Sequence, residues 1–143
     1  MFKKLFLFKA MPARTSAGLL VLRVLVGVPL FLHHGLEKLT RFSQMSAHFP
    51  NPLHIGVVPS LLFAALSDGI CSVLLVLGLA TRWAALVVFI NIFVVWAFLL
   101  HFHFFGRAGG EGELLVLYLA AAIALFLAGA GKYSIDGALD DEE

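Results

Sequence analysis

His33 and His34 are followed one helical turn later by Glu37 and Lys38, and this polar cluster closes a stretch that is otherwise strongly apolar. Imidazole titrates near neutral pH, ligates transition metals and holds haem iron axially, so adjacent histidines with a nearby carboxylate suit proton transfer or cofactor binding. Three further groups share that chemistry: Asp68, Asn91, and the set His101, His103, Glu111 and Glu113 around one connection. Candidate cofactor-binding residues are therefore His33, His34, Glu37, Asn91, His101 and Glu113. Asp68, His34 and Arg23 are candidates for a catalytic proton network, and a metal would draw on His34, His101 and Glu113. The spacing singles out no metal: His33 and His34 point about 100° apart on a helix, and His101 and His103 about 200° apart.

The elements that must position these groups are apolar runs. The chain is 143 residues long, 61% hydrophobic and 13% charged, against ~45 to 50% apolar residues in an ordinary soluble domain. Four runs, at 17–39, 57–79, 83–105 and 113–130, are long enough for a hydrocarbon core that needs ~20 helical residues. Runs of this length are too long for strands, and lipid accepts only helices or closed barrels. An all-α integral membrane four-helix bundle is expected over 17–130. Residues 1–16 are expected to lie at the interface as a short amphipathic segment, and 131–143 to form an acidic tail. Pro59 suits a first helical turn, whereas Pro29 lies within the first helix and is expected to kink it.

Charges lie in the connections and at the ends, so they report topology. One side of a four-span bundle would hold Lys3, Lys4, Lys9, Arg14, Arg82 and Lys132, and the other Lys38, Arg41 and Arg107. The positive-inside rule then makes both termini cytoplasmic. The lipid bilayer is the expected partner, and no nucleic acid is. A single Cys71 excludes an internal disulfide or Cys-x-x-Cys redox pair. Ala120, Ala124 and Ala128 form a small-residue ridge, expected in core packing or, alternatively, against a second protomer.

Depth along the helices sorts the polar residues. At 1.5 Å per residue, Asp68 lies about 16 Å and Asn91 about 18 Å from the outer ends of their runs, at a shared level. Arg23 lies about 24 Å down the first run, and is expected to reach them in a midplane network. Arg23, His34 and Lys38 fall within about 60° on one helix face, with Glu37 about 40° to the other side. Lys38, Glu37 and Arg41 also fit ordinary helix-end roles, and His101 and His103 ordinary interfacial ones.

The residues that punctuate these helices resemble the DoxX family of small bacterial four-span membrane proteins. The likeness rests on Arg23, on 31–39 (FLHHGLEKL) and 78–82 (GLATR), on Glu113-Leu114-Leu115 and on 129–136 (GAGKYSID). Asp68 stands where the family commonly has Glu, so the acid is kept with one methylene less reach. The resemblance implies a bacterial inner (plasma) membrane location and a link to redox metabolism. The expected role is a redox-associated membrane subunit, an accessory of a quinone-linked oxidoreductase, with a quinone, haem or transition-metal pocket in the outer half of the bundle. The alternative is a non-catalytic scaffold or assembly factor for another membrane protein, with homo-oligomerisation open in either case. Transport through the bundle is disfavoured because four spans leave little room for a lumen.

Overall fold

A computed structural model of the protein describes residues 12–103 and 111–140. The described residues are helical and contain no strand. The main elements are α1 (Ala13–Thr40), α3 (Val57–Leu77) and α4 (Thr81–Leu99), each long and apolar enough to cross a membrane. The shorter α5 (Glu111–Ala128) completes the set, while α2 (Phe42–Met45) and α6 (Ile135–Asp140) are single turns and a little more. Contacts run α1 to α3, α3 to α4, α4 to α5 and α5 back to α1, so the four long helices close a bundle.

The side-chain pattern is that of a membrane protein. Leu25, Leu62, Trp83, Leu117 and Leu127 are all at least 60% exposed on the outer faces. Ser16, Arg23, Ser67, Asp68, Ser72, Thr81 and Asn91 are buried inside. In water that arrangement would be costly, because it leaves apolar faces wet and takes polar groups out of solvent. In lipid both terms change sign or vanish, and the polar groups find partners between helices. Leu19, Val26, Leu30, Leu75, Val88, Ile92, Leu119 and Leu125 fill the remaining core.

Backbone detail departs from the expected runs at three places. In α1 the chain passes through Pro29 and then widens to a π-helical turn at Phe31–Gly35, with Leu36 N–H bonding to Phe31 O. Similar turns occupy Leu66–Cys71 in α3 and Val95–Leu99 in α4. Such turns in transmembrane helices often accompany functional sites. α4 stops at Leu99, short of the expected run to 105. There Phe102 turns back, its N–H bonding to Trp96 O and its ring lying edge-on to Trp96 with centroids 5.1 Å apart. Pro59 sits in the first turn of α3 as anticipated. Ala120 and Ala124 face outward rather than into the core, because the α5 face that meets the bundle carries Leu119, Ala122 and Leu125.

One end of the bundle, here the clasp end, is tied together by the last described residues. α3 finishes with Gly78 at φ +69°, whose N–H reaches Leu75 O while Leu79 N–H reaches Leu74 O. This is the Schellman arrangement, and glycine adopts its left-handed backbone without the strain a Cβ would bring. Ala80 cannot cap α4 with its methyl group. Asp136 does so from the far end of the chain, accepting Ala80 N–H at 2.7 Å and Thr81 N–H at 2.9 Å. Residues 131–140, part of the expected acidic tail, thus include a closing element, with Lys132 N–H also bonded to Ser16 Oγ. The expected interfacial segment 1–16 lies mostly outside the described residues, and its residues 13–16 already belong to α1.

Candidate functional site

At the opposite, loop end of the bundle three helices bring a polar group together. Lys38 descends from the last turn of α1, and its Nζ donates to Asp68 Oδ2 at 2.8 Å and to the His34 carbonyl at 3.1 Å. Asp68 belongs to the π-helical turn of α3. Its other oxygen accepts Asn91 Nδ2 from α4 at 3.0 Å and Ser67 Oγ at 3.3 Å. The Lys38 and Asp68 side chains are only 12% and 8% exposed. The short bonds in so sheltered a place hold both groups in fixed orientation. The third Lys38 N–H and the second Asn91 N–H have no hydrogen-bond partner among the described residues.

The approach of α1 to α3 at this level depends on glycine. A Cβ on Gly35 would collide with the carbonyl of Asp68 itself, so the bare backbone lets the two helices touch where the ion pair forms. Ser72 supports the same turn from below, its hydroxyl bonding to Asp68 O and Gly69 O.

Beside the ion pair opens a cavity of about 770 Å³, within the ~300 to 1,000 Å³ usual for small-molecule sites. Lys38, Asp68, Asn91 and His34 line it together with Tyr118 of α5, and Leu62, Phe63, Ile90, Val94 and Leu115 are among its apolar lining residues. The roof is the connection between α2 and α3, which contributes Phe49, Pro50, Pro52, Leu53 and Ile55. Asn51 shapes that roof. Its Oδ1 accepts Gly56 N–H at 3.2 Å and Ser60 Oγ at 3.1 Å, pinning the connection to the start of α3.

The remaining expected residues fall elsewhere. Arg23 does not join Asp68 and Asn91. Its guanidinium lies about 11 Å further along α3, donating to Leu75 O at 3.3 Å, Val76 O at 3.2 Å and Tyr133 O at 2.5 Å. The physical reason is that the last carbonyls of α3 keep acceptor capacity beyond the cap at Gly78 and carry the negative end of the helix dipole, which suits a forked cation. His33 and Glu37 are exposed and do not line the cavity, and Glu37 makes a loose contact of 3.6 Å with Arg41. His101 and His103 lie beyond α4 on the exposed turn, where His103 Nδ1 bonds to Leu100 O. Glu113 is exposed on α5 and away from the cavity, and the side chain of Glu111 lies outside the described residues. Among the described residues no three His, Cys, Asp or Glu side chains gather as metal ligands.

Sequence reasoning brought Asp68 and Asn91 to one level but assigned Lys38 to an ordinary interfacial role. The angular count that put Lys38 on the face of Arg23 and His34 was the signal for its true place. Tyr118, Ser67 and Asn51 carried no comparable signal.

No curated protein and no solved structure matches the chain. A family model does: DoxX matches residues 18–102, which contain most of α1, all of α3 and α4, and all three members of the Lys38, Asp68 and Asn91 group. With more than half of its length matched, this multi-pass membrane protein belongs to the DoxX family.

Proposed function

We propose that the protein is a redox-associated subunit of the bacterial inner membrane that binds a quinone in the cavity beside Lys38 and Asp68. In this reading α1, α3, α4 and α5 all span, both termini are cytoplasmic, and the loop end with its cavity faces the outer half of the bilayer. The observation that carries the proposal is a largely apolar cavity bordered by the bonded group of Lys38, Asp68 and Asn91. That is the shape of a molecule with a hydrogen-bonding head and a hydrocarbon tail.

Of the three cofactors the sequence suggests, quinone fits the residues. Haem would want imidazoles facing each other, and His34 is the one histidine of the described residues that lines the cavity. A metal would want a cluster of donors, which the described residues lack. A quinone supplies two-electron, two-proton carriage when bound. The chain supplies the rest: the unused Lys38 N–H donates to a head-group oxygen, Asp68 fixes the ammonium, and Asn91 orients the carboxylate. Tyr118 and His34 stand within the same wall, and the roof residues Phe49 to Ile55 keep water from the head.

Native mass spectrometry of protein taken from membranes in mild detergent, followed by solvent extraction, tests the reading. Bound quinone in the wild type and its loss in Lys38→Met are expected. An empty cavity in freshly extracted protein would sink it. The alternative, a non-catalytic scaffold or assembly factor, draws support from the outward Ala120 and Ala124 ridge, which offers a close-packing face to another helix. It predicts co-purification of a stoichiometric protein partner that survives loss of the ion pair.

A further inference from the structure

The cavity has an unusual charge balance. Among the described residues, Lys38 and Asp68 are the two formally charged ones that line it, one of each sign, and they are bonded to each other at 2.8 Å. The other polar lining groups, Asn91, Ser60 and Tyr118, are neutral, and His34 is so above its titration range. Both hydrogen-bond donors and acceptors remain for a ligand head, in the spare N–H groups of Lys38 and Asn91 and in the Asp68 carboxylate. The described lining residues leave no net charge.

From this we infer that the site discriminates by charge: it admits amphiphiles with an uncharged carbonyl or hydroxyl head and rejects those with an ionised head, and the Lys38–Asp68 pair is the discriminating element. This rests on the reading of the cavity as an amphiphile site, and it deepens that reading by naming what the site excludes. A charged head entering this low-dielectric wall would be desolvated opposite a pair that already cancels itself. It would gain little from either member unless it broke their bond. A neutral head keeps that bond intact and uses the donors left over. The distinction matters in a bilayer, where the surrounding molecules are themselves amphiphiles, many with ionised heads. Leu62, Leu66, Ile90 and Leu114 line the cavity and keep at least 40% of their surface exposed.

The test uses the full chain in nanodiscs of neutral lipid at pH 8, with native mass spectrometry as readout. Four probes are supplied at equal load: a decyl-substituted benzoquinone, hexadecanol, hexadecylsulfonate and hexadecylammonium. The wild type is expected to hold the first two and exclude the last two. Asp68→Asn leaves Lys38 uncompensated and is expected to raise sulfonate occupancy at least about tenfold. Asn91→Asp adds a second carboxylate at the same place and is expected to raise ammonium occupancy by a similar factor. The two variants err in opposite directions, so a folding failure in one leaves the other decisive. Equal uptake of all four probes by the wild type, or unchanged selectivity in a folded variant, would overturn the inference while leaving a quinone site standing. Hexadecanol bound without the benzoquinone would keep the inference and remove the quinone reading. A wild type that takes up no probe removes both.

Discussion

Arg23 and Lys38 lie on one face of the same helix, fifteen residues apart, yet they are employed differently. Arg23 is fully buried and directs its hydrogen bonds to backbone carbonyls of α3 and of Tyr133. Lys38 is paired with a side chain as well as with the carbonyl of His34 in its own helix, has no third partner among the described residues and borders a cavity. A cation bonded to backbone is part of the frame, since nothing can replace its acceptors without unwinding a helix. A cation bonded to a side chain beside open space can exchange partners. Buried charge in this bundle therefore has two meanings, and the partner decides which applies.

The difference can be broken at either end. Arg23→Met should have the largest effect, because it removes charge-assisted bonds from several buried carbonyls at once: a loss of ~3 to 5 kcal/mol is expected. Thermal unfolding in detergent reads it. Arg23→Lys should recover little, since one ammonium does not span the carbonyls of α3 and Tyr133 together. A mild effect from Arg23→Met would mean that the clasp end is not the frame.

Lys38→Met should cost ~2 to 4 kcal/mol by stranding Asp68, but adding Asp68→Leu should return most of that stability. Ligand retention should not return with it. If the double variant stays as unstable as the single one, the loop-end pair belongs to the frame after all and the contrast with Arg23 fails.

Smaller perturbations sharpen the picture. Gly35→Ala forces α1 away from the Asp68 carbonyl and should cost ~1 to 3 kcal/mol. Its more telling readout is ligand occupancy, which should fall further than stability does. Asp136→Ala removes the cap from α4 and should lower stability by ~1 kcal/mol with occupancy unchanged. Asn51→Ala should barely move the melting temperature. It should instead speed amide hydrogen exchange across residues 51–60, where Asn51 holds the roof.

How far the sequence alone carries is visible in the same residues. Helix content, the outward apolar faces and the shared level of Asp68 and Asn91 follow from run length and rise per residue, which are local quantities. Arg23 was misplaced for a different reason. Its acceptors are backbone carbonyls, which leave no mark on residue types, and Tyr133 is 110 positions away. Lys38 was underrated because a lysine at a helix end satisfies a generic rule, and the rule took no account of the glycine that brings α3 within its reach. The histidines drew attention by their chemistry, but the turn after Leu99 carries His101 and His103 away from the group around Asp68.

The clasp also has a consequence in time. The amides of Ala80 and Thr81 and two of the carbonyls on Arg23 are made early, whereas Asp136 follows Thr81 by 55 residues and Tyr133 likewise comes late. Until then α3 and α4 sit in the bilayer with one shared end unfinished. A chain that stops before residue 133 should insert yet remain recognisably incomplete to membrane proteases, so the bundle is closed only once residues 133–136 have followed it.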